Sequence, residues 1–146
     1  MARLVVDASV ALKWKLEDEE ETEAAMAILT DFGEGRVNLV APALFIVEVA
    51  NGLRVALGRG RISEDQAKGF LHDLLALDFT FVADTGLVPR AFEFARQHRR
   101  SVYDTLYLAI AEAQGCECVT ADDSLYQSVK KKLHWVKWVG DYQPLS

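Results

Sequence analysis

The chain has 146 residues, 51% of them hydrophobic and 26% charged, so it is long enough to bury a sizeable core and too apolar to remain disordered. A net charge of −6 argues against general adhesion to nucleic acid, while leaving room for an enzyme that gathers acids at one site beside a local basic path. The longest uncharged run, Val37 to Val47, contains Pro42 and falls far short of the roughly 20 residues of a membrane span, and MARLVVDASV meets Asp7 too early for a signal-peptide core. A single domain over 1–146 with no membrane association and a cytoplasmic location is the expectation.

Leu4-Val5-Val6 is a short continuous apolar run, the mark of a strand buried on both faces, and Asp7-Ala8-Ser9 turns it into a brief helix over Val10 to Leu16. The acidic run Glu17 to Glu23 reads as a solvated helix start favoured by the macrodipole, leading into a helix through Phe32. Gly33 and Gly35 break it, and Val37 to Val40 form a second strand. Pro42 suits the first turn of the next helix, Ala43 to Leu57, which is apolar nearly all round and is expected to be largely buried. Glu48 stands in its middle, with Asn51 on the same face and no Lys or Arg within a turn.

Gly58-Arg59-Gly60-Arg61 is a basic turn, and Ser63 with Gln66 has capping-box spacing for a helix to about Leu77. Phe79 to Val82 reads as a short strand and Thr85 to His98 as an amphipathic helix. Ser101 caps a helix with an apolar body that stops at Gly115, a position suited to the left-handed residue that ends helices. Cys116 to Thr120 is a strand; its two cysteines are too close for an unstrained bridge and poorly spaced for zinc, and read as small core side chains. Ser124 to Lys132 is a last helix and Trp135 to Val139 a closing strand. Strands alternating with helices imply a parallel sheet with helices on both faces.

Such sheets bind ligands where strands end and helices begin, so Asp7, Asp104 and Asp122 are expected at one edge. Each has an ordinary reading as a cap or turn acid. Glu48 does not, because a carboxylate in an apolar helix is costly unless paired or bound to a cation. Two carboxylates about 4 Å apart repel by roughly 4 kcal/mol at an effective dielectric near 20, so several together call for a cation or raised pKa values. Oxygen ligands without His or Cys point to Mg²⁺ or Mn²⁺. His72, His98 and His134 are scattered, and no nucleophilic triad or phosphate-cradling glycine loop is present.

LVVDASV, APALFIVEVANGL, SVYDTLYLAIAEAQG and CVTADDSL, in that order, make the chain resemble PIN-domain proteins over essentially its whole length, and most closely the small VapC toxins of VapBC toxin–antitoxin pairs. The resemblance implies a three-layer α/β/α sandwich around a five-stranded parallel sheet and an Mg²⁺- or Mn²⁺-dependent endoribonuclease. It makes Asp7, Glu48, Asp104 and Asp122 the metal-binding, catalytic acids, with Ser9, Asn51 and Thr120 in support. Asp123, one residue on, is the alternative to Asp122. It also implies a VapB-like antitoxin as partner and a homodimer. Arg99 and Arg100, and Arg59 with Arg61, are candidates for the RNA backbone. A dehalogenase-type phosphatase would need an acid where Ser9 stands, and a receiver domain adjacent acids after the first strand. The alternative is a PIN-like module that binds RNA or protein with little activity, against which the intact acids count.

Overall fold

The structure is a computed structural model describing residues 2–16 and 18–145; Glu17, where the acidic run was expected to begin, lies outside the described residues. Five strands form one sheet: β1 (Ala2–Val6), β2 (Val37–Ala41), β3 (Thr80–Phe81), β4 (Glu117–Thr120) and β5 (Val136–Trp138), in the order β3-β2-β1-β4-β5. Every pairing is parallel, with Leu4 opposite Leu39 on one side and Glu117 on the other. The chain moves outward from β1 to β3, then returns to the far side of β1 for β4 and β5. Right-handed crossovers put these two sets of connections on opposite faces, giving the three layers, and the reversal makes β1 and β4 the switch point of the sheet.

Among the described residues, seven α-helices flank it: α1 (Ala8–Leu12), α2 (Thr22–Gly33), α3 (Leu44–Gly58), α4 (Glu64–Leu75), α5 (Val88–His98), α6 (Val102–Gln114) and α7 (Asp123–Val129). Val5 and Val6 of β1 lie opposite Cys118 and Val119 of β4, and α6 buries the unbroken run Thr105 to Ala111 between the sheet and α5. Ser101 caps α6 by accepting from the Asp104 N–H, and Gly115 ends it at φ 64°.

Three expectations change. The first helix ends at Leu12, and Trp14 beyond it is fixed instead by an indole N–H donated to the Ala25 carbonyl at 2.8 Å. The third strand shrinks to two edge residues. Helix α3 is not buried all round: Phe45, Val49, Leu53 and Ala56 face the core, while Val47 is 62% exposed. That orientation is set partly by Gly52, where a Cβ would come within 2.5 Å of a Leu12 methyl. Helices α1 and α3 therefore approach closely, which fixes the elements carrying Asp7 and Glu48 relative to each other.

Candidate active site

Asp7 follows the last residue of β1, caps α1 and is buried. Both of its oxygens are held by hydroxyls: Ser9 Oγ donates to Oδ1, and Thr120 Oγ1, from the end of β4, donates to Oδ2 at 2.5 Å. The same hydroxyls accept backbone N–H groups, Ser9 from Ala121 at 2.9 Å and Thr120 from Asp122 at 3.0 Å. The two strand ends at the switch point are thus tied together around one carboxylate. No cation touches it among the described residues. Burial, with a smaller push from the Asp122 charge, raises Asp7 from 3.8 to about 6 against the hydroxyl and Val10 N–H bonds.

Asp122 caps α7, its Oδ1 accepting the Leu125 N–H at 3.1 Å. Its Oδ2 lies 3.3 Å from the Arg100 guanidinium, which also reaches Asp104 Oδ2 at 3.0 Å. Asp104 sits in the first turn of α6, so α6 and α7 bring their acids to one cation. Glu48 is half-buried on α3, where its Oε1 accepts the Tyr107 hydroxyl at 2.6 Å. Burial raises its pKa, the tyrosine bond lowers it, and the Asp104 charge raises it again. These couplings link Asp7 with Asp122 and Glu48 with Asp104.

Among the described residues, no three acidic, histidine or cysteine side chains converge closely enough in this arrangement to hold one ion. The donor chemistry still fits a hard divalent cation. All four groups offer oxygen, two are pushed toward protonation by burial and by a neighbouring acid, and a guanidinium already stands between the other two.

The PIN domain family model matches residues 4–131. The chain belongs to the PIN domain family. The ribonuclease VapC9 of Mycobacterium tuberculosis is 34% identical over 107 residues, covering 70% of this chain and 83% of the relative. The ribonuclease VapC3 of Pyrobaculum aerophilum is 32% identical over 127 residues, covering 84% and 92%. The crystal structure of PAE2754 from P. aerophilum shares the fold at a TM-score of 0.68 and 23% identity, covering 94% of this chain and 91% of that one.

This PIN domain arranges the remaining candidates unevenly. Asp123 is exposed and turns away to accept from Gln127 Nε2 at 3.2 Å, so Asp122 is the member of the doublet that faces the other acids. Asn51 lies exposed on α3 and makes no side-chain hydrogen bond among the described residues. Two basic candidates are engaged by acids of the same chain. Arg61 is tied to Asp18 at 2.7 Å and Glu19 at 3.1 Å, because the basic turn folds back on the acidic run. Arg100 faces inward onto Asp104 and Asp122 rather than outward. Arg59 and Arg99 are exposed and without ion pairs among the described residues.

Sequence reasoning missed Tyr107. It lies in an apolar run and looks like core, yet it stands three residues after Asp104 and so shares that helix face. A tyrosine in such a place carries a polar tip that seeks a partner, and Glu48 is that partner.

Proposed function

We propose that this PIN domain is an Mg²⁺- or Mn²⁺-dependent endoribonuclease acting as the toxin of a toxin–antitoxin pair in the cytoplasm. One observation carries the reading. Asp7 at the switch point of the sheet is buried, its oxygens are held by two hydroxyls and, among the described residues, by no cation, while Asp104 and Asp122 share one guanidinium beside it. The relatives named as VapC ribonucleases support the same chemistry.

Asp7, Glu48, Asp104 and Asp122 would hold the divalent ion, whose Lewis acidity toward water and phosphate is the chemistry it supplies when bound. Ser9 and Thr120 fix both oxygens of Asp7, so that carboxylate needs no reorganisation to act as a ligand. Tyr107 holds Glu48 in the same way from α6. Arg59 and Arg99 are free at the surface to neutralise RNA phosphates. Asp123 keeps to its surface pair. Exposed Val88 and Phe92 on α5, with Val47 and Val55 on α3, supply apolar surface for self-association or for a VapB-like antitoxin.

The test is to incubate the metal-stripped protein with structured RNAs in Mg²⁺, in Mn²⁺ and in chelator, and to map the cut ends. Cleavage only with metal, leaving 5′-phosphate and 3′-hydroxyl ends, is expected. Full cleavage in excess chelator would overturn the metal-dependent reading, and no cleavage of any RNA with metal would overturn the enzymatic one.

A further inference from the structure

Among the described residues, Arg100 is the one basic side chain that touches two of the four acids, and it does so poorly. Its Nη2 is shared between Asp104 at 3.0 Å and Asp122 at 3.3 Å, and Nη1 donates to Ser124 Oγ at 2.7 Å. Its Nε is buried with no acceptor. Guanidinium groups built as permanent clamps use the fork. Arg90 places Nε and Nη2 on the two oxygens of Glu112 at 2.8 and 3.0 Å, and Arg61 does the same with Asp18 at 3.0 and 2.7 Å. Arg100 forms no fork on either carboxylate, since only Nη2 reaches them, and it leaves a buried Nε orphaned, an arrangement that native structures rarely keep without reason.

The backbone around it is not what would move. The Arg100 N–H is bonded to the Ala95 carbonyl, and Arg99 before it ends α5 in the left-handed region. The side chain alone spans from this rim into the acids, and Arg99 and Ser124 beside it are exposed. A divalent ion among the same carboxylates would repel the guanidinium, and one cation would have to leave.

We propose that Arg100 is a displaceable internal counter-cation: it neutralises Asp104 and Asp122 while no metal is bound, and a divalent ion must expel it to occupy the site. This rests on the reading that the four acids hold such an ion. Arg100 thereby sets the metal concentration at which the site loads, and keeps the acids compensated when metal is scarce.

Calorimetric titration of Mn²⁺ into metal-stripped, RNA-free protein tests this. Arg100→Gln should bind Mn²⁺ about tenfold more tightly than wild type or better, a gain of about 1.4 kcal/mol. Arg100→Lys, with no fork to bridge two carboxylates, should fall between them. In chelator Arg100→Gln should melt below wild type, and in saturating Mn²⁺ the gap should close. Should Arg100→Gln fail to fold in chelator, Ser124→Ala carries the test, since loosening the guanidinium alone should also tighten Mn²⁺ binding. Equal or weaker Mn²⁺ binding by the variants, with wild type binding normally, would make Arg100 a clamp that arranges the ligands and overturn the proposal alone. No Mn²⁺ binding by wild type or variants would overturn the metal reading together with it.

Discussion

Asp7 and Asp31 are both aspartates with almost no exposed surface, at 7% and 1%, and they have opposite chemistry. Asp31, on α2, accepts the Arg36 Nε–H at 2.9 Å, the Tyr142 hydroxyl at 2.6 Å and the Leu145 N–H at 2.9 Å. Burial works to raise its pKa, but these bonds and the Arg36 charge together outweigh burial and hold it below the usual range. Asp7 has two hydroxyls, a long bond from Val10 at 3.4 Å and, among the described residues, no cation, and there burial prevails. The first carboxylate is complete as structure and pins the C-terminal segment to α2. The second is held in position by hydroxyls alone. Partners, not burial, decide which way the pKa of a buried aspartate moves.

Asp7→Asn should break the comparison most strongly. Cleavage should fall at least about 10³-fold, a barrier increase of about 4 kcal/mol, because an amide is a poor ligand for a hard cation. Stability should move the other way. Between pH 3.8 and about 6 the folded protein keeps a proton on Asp7 that the unfolded chain has lost, so the contribution of Asp7 to stability falls as pH rises through that window. Above it the ionised carboxylate costs up to about 3 kcal/mol. In chelator, Asp7→Asn should therefore gain about 1–2 kcal/mol over wild type at pH 7.5 and nothing near pH 4. Equal destabilisation at both pH values would show that Asp7 is an ordinary cap.

Asp31→Ala should give the mirror image. It leaves a tyrosine hydroxyl and a backbone N–H without their acceptor and a partly exposed Arg36 with only its surface contact to Glu34, at a cost of about 2–3 kcal/mol. Cleavage per folded molecule should be unchanged. Denaturant unfolding together with the rate at a temperature where the variant is folded checks both parts, and a loss of cleavage in the folded variant would remove the distinction.

The sequence carries much of this, and its gaps have physical causes. Parallel strands are continuous apolar runs, and caps such as Ser63 and Ser101 announce helix starts, so β1, β2, α4 and α6 stand nearly where the pattern puts them. Boundaries slip where the signal is weak, as in the two-residue β3 at the sheet edge. Three of the four acids are legible because each ends a strand or opens a helix, which brings them to one edge whatever their side chains do. Contacts across the chain are not legible. Tyr107 meets Glu48 across 59 residues, and Arg61 turns back to Asp18 across 43. Asp31 is hidden for the same reason, since Tyr142 and Leu145 return to it from the far end of the chain. Helix α3 is less buried than its composition implies, because composition does not say which side of a helix meets the core.

Tyr107→Phe sharpens the contrast at Glu48, whose hydroxyl bond is the counterpart of those on Asp7. Removing it should cost about 1 kcal/mol of stability. The bond from Tyr107 works to lower Glu48, so without it Glu48 holds its proton to higher pH. The acid limb of the pH–rate profile should move upward and more Mg²⁺ should be needed for half-maximal rate. An unchanged profile with the same loss of stability would make Tyr107 a packing residue.

The smallest effects on stability are expected at Asp122 and Asp123, adjacent acids that repeat the contrast at the surface. Both sit at the start of α7, where a negative charge is worth about 0.3–1 kcal/mol. Asn remains a good cap, so Asp122→Asn keeps the bond to the Leu125 N–H and loses mainly the partly exposed contact with Arg100. Asp123→Asn keeps an oxygen to accept from Gln127 and loses only an exposed charge in the first turn of the helix. Neither should shift stability by more than about 1 kcal/mol, and thermal melting will barely separate them. Cleavage will: Asp122 shares Arg100 with Asp104 and raises Asp7 through its charge, whereas Asp123 does neither. Asp122→Asn should therefore abolish cleavage and lower Asp7, moving its titration downward, while Asp123→Asn should leave both as they are. Cleavage lost in Asp123→Asn and kept in Asp122→Asn would mean that the acid turned toward Gln127 here is the one that turns inward to work.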